Sequence, residues 1–171
     1  MHPVSFAAPW DKSLKTSTSL VSALFLALMF LLPSATGWQW LVKGGMLLLL
    51  AGLAAWAPRS FVIDGDRLIV RRFIGRVCIS LAGLNDAQLL ELGALRGVVR
   101  VWGVGGCFGY YGRFLNGFES QTWYVTDRQS CIRLDCAAGI VVISPSDPAA
   151  CLEALAGPKQ APRSAGCGII P

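Results

Sequence analysis

Two apolar runs near the N-terminus, residues 20–32 and 44–57, restrict this chain more than anything else in it. Between Thr16 and Pro58 the one charged residue is Lys43, and Asp11 is the one acidic residue ahead of Pro58. A helix that crosses a bilayer uses about 20 mostly apolar residues. With their mildly polar flanks, residues 17–35 and 38–57 each reach that length, joined by Pro33-Ser34-Ala35-Thr36-Gly37. The pattern predicts a two-helix transmembrane hairpin over residues 17–58. Ala23 with Ala27 and Ala51 with Ala55 are small-residue pairs that allow close helix packing, and Gly44 and Gly45 thin the second helix. Lys43 lies about one turn inside that helix, within reach of the interface for its long side chain.

Charge sets the expected orientation. The formal net charge is +5, but residues 61–156 carry nine arginines against nine acidic residues. The excess lies in Lys12, Lys15 and Arg59 around the hairpin and in Lys159 and Arg163 of the tail. This is positive-inside anchoring, and it argues against a nucleic-acid partner. Both termini are expected on the cytoplasmic side of a bacterial inner membrane, as a multi-pass protein. Trp38 and Trp40 would mark the far interface, Trp10 and Trp56 the near one. Lys12, Lys15, the 20–32 core and Ala35-Thr36-Gly37 also fit a signal peptide. The second apolar run, which follows almost at once, favours a retained hairpin.

Cys78, Cys107, Cys131, Cys136, Cys151 and Cys167 contain no CxxC pair, and His2 is the only histidine. No metal site or cofactor is expected, and in the cytoplasm the cysteines would be free thiols. Without a histidine base beyond His2 or convincingly paired carboxylates, no catalytic residues are assigned and the chain is not read as an enzyme. Two spans without an acidic group offer no transport pathway.

The arm of residues 1–16, with Pro3 and Pro9, is expected to be poorly ordered. After Pro58 the periodicity becomes that of strands. Residues 61–63 and 67–71 flank Asp64-Gly65-Asp66, a strong hairpin signal. Residues 76–81, 98–102, 121–126, 131–136 and 140–144 read as further strands, and 85–92 is ambiguous between a strand and a short helix. Asp147-Pro148 starts a C-terminal helix with Asp147 as cap, ended by Gly157-Pro158. The helix would place Leu152 and Leu155 over one end of the domain. Residues 157–171 read as a flexible tail.

The most distinctive segment is residues 102–114, which interleaves five glycines with Trp102, Phe108, Tyr110, Tyr111, Arg113 and Phe114. It has no phosphate-loop register. The glycines would let a sharply coiled strand turn a corner with Phe108 and Tyr110 packed inside. The same segment is a candidate interaction loop, at Gly105, Gly106, Phe108, Tyr110, Tyr111, Arg113 and Phe114. Residues 105–114, then Trp123-Tyr124-Val125-Thr126-Asp127, then Val142-Ile143-Ser144-Pro145-Ser146-Asp147-Pro148, resemble the bacterial pleckstrin-homology-like (PH) domain family. Its members commonly carry a two-helix membrane hairpin ahead of the domain. The resemblance implies an α+β membrane protein: the hairpin, then a PH-like bent antiparallel β-barrel over residues 59–156 with a C-terminal helix. It supplies no catalytic residues.

The expected function is a non-enzymatic, membrane-anchored module for protein interaction or self-association at the cytoplasmic face. Its partners would be the bilayer and another protein or a second copy. The alternative is sensing of anionic lipid, with Arg59, Arg67, Arg71 and Arg72 as candidate headgroup contacts and acidic Asp64 and Asp66 weakening that surface.

Overall fold

The structure, a computed structural model, describes residues 3–33, 37–91, 97–137 and 139–156. The expected turn at 34–36, the 92–96 segment and the expected tail at 157–171 lie outside the described residues.

Helices α1 (Lys12–Leu31) and α2 (Gly37–Trp56) are each long and apolar enough to cross a membrane. Neither is the covered core of a soluble domain. Phe30, Leu31, Leu41 and Leu48 are largely exposed, with no protein packed over them. Helix α1 starts five residues earlier than the hydropathy boundary, because Asp11 caps it by accepting from the Leu14 N–H. In α2 the Lys43 ammonium sits 5.2 Å over the Trp40 ring, bent toward the helix N-terminus as a snorkelling side chain would be.

The arm is not loose. Residues Val4–Ala7 form β1, which pairs antiparallel with β2 (Pro58–Asp64) and buries Phe6. Strands β3 (Arg67–Arg72) and β4 (Arg76–Ser80) complete a four-stranded sheet in the order β1-β2-β3-β4. The β2–β3 turn is the Asp64-Gly65-Asp66 hairpin, and Gly65 supplies the positive φ. The chain then crosses to a second sheet of β5 (Asp86–Leu90), β6 (Val99–Gly105), β7 (Tyr110–Asn116), β8 (Glu119–Val125), β9 (Cys131–Cys136) and β10 (Gly139–Ile143). Their order is β5-β9-β10-β8-β7-β6. The ambiguous 85–92 stretch is therefore a strand.

The expected closed antiparallel barrel is not formed. Strand β10 inserts between β8 and β9 and runs parallel to β8. Strands β1, β4, β5 and β6 are left as sheet edges. A barrel closes only when its edge strands pair, and here they do not. The sheets instead pack face to face. Phe61, Leu68 and Val70 of the first meet Tyr111, Ile132, Leu134 and Ile143 of the second. Alternation sends Phe114, Trp123, Val125, Cys131 and Val142 to the opposite face, where they form a smaller cluster.

Helix α3 (Pro148–Ala156) begins where the sequence placed it, with Asp147 accepting from the Ala150 N–H at 3.0 Å. Leu155 is buried in the main core as expected, joined by Cys151, while Leu152 packs partly against it. Cys107, Cys131, Cys136 and Cys151 are free thiols. Cys78 is disulfide-bonded, which departs from the expectation of free thiols.

Candidate functional site

The glycine-rich segment folds as the β6–β7 hairpin, and its tip is pressed against the base of the helix pair. Gly103 and Gly112 face one another across the ladder with φ of 120° and 129°. A Cβ at either would lie 2.2 Å from a carbonyl oxygen of the other strand. Only glycine permits this approach, so the glycines serve a strand, as the coiled-strand reading expected, and not a loop. The Gly106 N–H donates to the Gly109 carbonyl at 3.1 Å, leaving Cys107 and Phe108 as the tip.

That tip docks on α1. The Phe108 N–H donates to Thr18 Oγ1 at 2.9 Å, and Ser17 Oγ donates to the Gly106 carbonyl. The Trp10 ring meets Phe108 edge-on at 6.1 Å. Phe108 is held at φ 57°, a left-handed conformation that costs a non-glycine residue about 1–2 kcal/mol. These contacts offset that cost. On the other helix, the Tyr111 hydroxyl donates to the Leu53 carbonyl of α2 at 2.8 Å. Tyr111 is only 5% exposed, and burial, with Cys107 nearby, pushes its phenol up to about 12 against the opposing pull of Arg72. An open apolar cleft of about 230 Å³ remains between the hairpin and α2, lined by Leu48, Leu49, Gly52, Leu53, Val104 and Tyr111.

The structure therefore divides the candidate loop. Gly106, Phe108 and Tyr111 face the chain's own helices. Phe114 is buried and stacked on Trp123 at 4.5 Å, and Tyr110 lies under the Arg128 guanidinium at 5.4 Å. Gly105 and Arg113 are exposed. The sequence reading did not single out Ser17, Thr18 or Leu53, whose roles depend on what packs against them. Asp11 ahead of an apolar helix was a legible capping signal.

The candidate headgroup arginines also separate. Arg67 is at one end of β3, beside the Asp64–Asp66 turn, and Arg71 and Arg72 are at the other, about 13 and 17 Å away at strand rise. Arg72 lies 5.8 Å over Trp56 and 5.4 Å over Tyr124, with its Nε buried and unpartnered. Arg59 is stacked over Phe73 at 5.1 Å.

Residues 59–158 match the family model described as Bacterial PH domain. The chain belongs to the bacterial PH domain family. Relative to residues 59–158, this PH domain has a strand added from the N-terminal arm, and its hairpin tip is seated on the two helices that precede it. No curated protein and no solved structure matches the chain. PH domains are generally non-catalytic, and a membrane-anchored module is what this domain and its two apolar helices fit.

Proposed function

We propose that this protein is a non-catalytic module, anchored in the bacterial inner membrane by α1 and α2, that docks a partner polypeptide on its cytoplasmic PH domain. The observation that carries this reading is the open edge of β6. It ends the six-stranded sheet, with no neighbouring strand on its outer side among the described residues, and exposes Val99, Val101 and Trp102. An edge of this kind accepts an added strand, with main-chain hydrogen bonds giving affinity and side-chain contacts giving specificity. A long apolar edge without such a partner is an aggregation hazard. The rigid seat of the β6–β7 tip on both helices supports the same reading, since it would hold the edge at a set distance from the bilayer. A second copy of the chain is the simplest source of the added strand.

The test is in-cell photo-crosslinking from p-benzoylphenylalanine placed at position 102 in the full chain. A discrete protein adduct is expected, and Val101→Lys should remove it, because a charge on an edge strand opposes strand addition. No adduct, or one indifferent to Val101→Lys, would refute docking at β6.

Anionic-lipid recognition is the second reading. It is favoured by the separation of Arg59, Arg71 and Arg72 from Asp64 and Asp66 along the first sheet.

A further inference from the structure

The β3–β4 turn is built from residues that a turn in water rarely uses. Phe73 and Ile74, followed by Gly75, stand 69% and 64% exposed, where Gly, Asn, Asp or Ser would be ordinary. The turn is nevertheless tightly held. The Arg72 N–H donates to the Gly75 carbonyl at 3.3 Å, and Gly75 takes φ 79°. The Ile74 N–H donates to the Ala55 carbonyl at 3.2 Å, which ties the turn to the last turn of α2.

That hydrogen bond sets a depth. Helix α2 has 20 residues, about 30 Å of rise, which equals the hydrocarbon thickness of a typical bilayer. Ala55 is the last residue but one of the helix. A turn bonded to its carbonyl therefore lies at the boundary between acyl chains and headgroups, level with half-exposed Trp56. The charges around the turn suit that boundary. Arg71 and Arg76 are direct cross-strand partners, an arrangement of like charges that is unfavourable without an anion between them. Arg59 and Arg72 stack on Phe73 and Trp56. Asp64 and Asp66 lie at the far end of the hairpin.

We infer that the Phe73-Ile74 turn is an interfacial wedge. Its two apolar side chains enter the leaflet beside the end of α2, and Arg59, Arg71 and Arg76 bind anionic lipid headgroups around it. This rests on reading α2 as a membrane span, and it gives the second reading above a site and a ligand class. The wedge would pin the domain against the bilayer at a second point, away from the β6–β7 tip.

The experiment uses the full chain in vesicles of phosphatidylcholine alone or of equal parts phosphatidylcholine and phosphatidylglycerol. Separate variants carry p-benzoylphenylalanine at position 73, at position 66 in the opposite turn, or at position 48 within α2. Lipid adducts are expected at 48 and 73 and not at 66. The yield at 73 should rise severalfold with phosphatidylglycerol, and Arg71→Gln combined with Arg76→Gln should abolish that rise. Adducts at 48 with none at 73 would overturn the wedge and leave the span intact. Absence of lipid adducts at 48 would overturn the span and the wedge together. Adducts from 73 to protein instead of lipid would make the turn a protein-docking surface and overturn the proposal.

Discussion

Gly112→Ala should be far more damaging than Gly117→Ala, although both glycines have positive φ. Gly117, at the β7–β8 turn, has φ 63° and nothing within 4 Å of an added Cβ. Its replacement should cost only the left-handed strain, about 1–2 kcal/mol. At Gly112 the added Cβ would meet the Trp102 carbonyl oxygen at 2.2 Å and the Gly103 Cα at 2.7 Å. Both obstacles are backbone, so β6 and β7 must part to admit a methyl group. Overpacking of this kind costs about 1–3 kcal/mol, and two rigid neighbours place it at the upper end. A steric excess of about 3 kcal/mol corresponds to roughly 12–24 °C in a domain of this size. The assay is thermal unfolding of the full chain in a mild detergent, followed by tryptophan fluorescence at one heating rate. Trp123, stacked on Phe114 of β7, reports on the affected sheet. Equal shifts for the two variants would refute the close approach of β6 and β7 and, with it, the account of why this segment is rich in glycine.

Thr18→Val removes the acceptor for the Phe108 N–H and should weaken the seat of the hairpin tip by about 1–3 kcal/mol. Thr18→Ser should stay close to the parent, and faster amide exchange at Phe108 in the valine variant alone is the readout. Burial pushes Tyr111, Cys131 and Cys151 up to about 12, with nearby Cys107, Asp127 and Asp147 adding respectively to each. The folded state therefore favours their neutral forms. The thiol contribution is complete below pH 9 and the phenol contribution below pH 10, and both are lost as pH rises toward 12. Denaturation at fixed detergent should ease across that alkaline window, and a flat profile would contradict it. Membrane-impermeant maleimide should label half-buried Cys107 in lysed spheroplasts and not in intact ones, with buried Cys131 and Cys151 reacting only after denaturation. Labelling of Cys107 in intact spheroplasts would place the domain outside the cytoplasm.

Much of this molecule is determined by local residue pattern. The apolar runs dictate two long helices because every backbone group in such a segment must bond within itself. Asp64-Gly65-Asp66 dictates the first hairpin through the φ that glycine supplies. Asp147-Pro148 dictates the start of α3 through a cap and a preset φ. Tertiary structure decided the rest. Val4–Ala7 becomes a strand because β2 offers an unpaired edge, and nothing within a short arm beside two prolines announces that partner. The glycines of β7 read in the sequence as a coiled strand or an interaction loop, and only the facing strand makes them a packing requirement. The insertion of β10 beside β8, which leaves the sheets open, depends on pairing between distant segments. The surfaces follow the same division. Phe108 and Tyr111 looked available because the sequence does not show that α1 and α2 return to cover them. Phe73 and Ile74 fell between two expected strands, at 67–71 and 76–81, and drew no reading of their own. They mark a surface only because Ile74 is hydrogen-bonded to the end of a helix that sits elsewhere in the chain, since depth relative to a membrane is a property of three-dimensional placement and not of residue order.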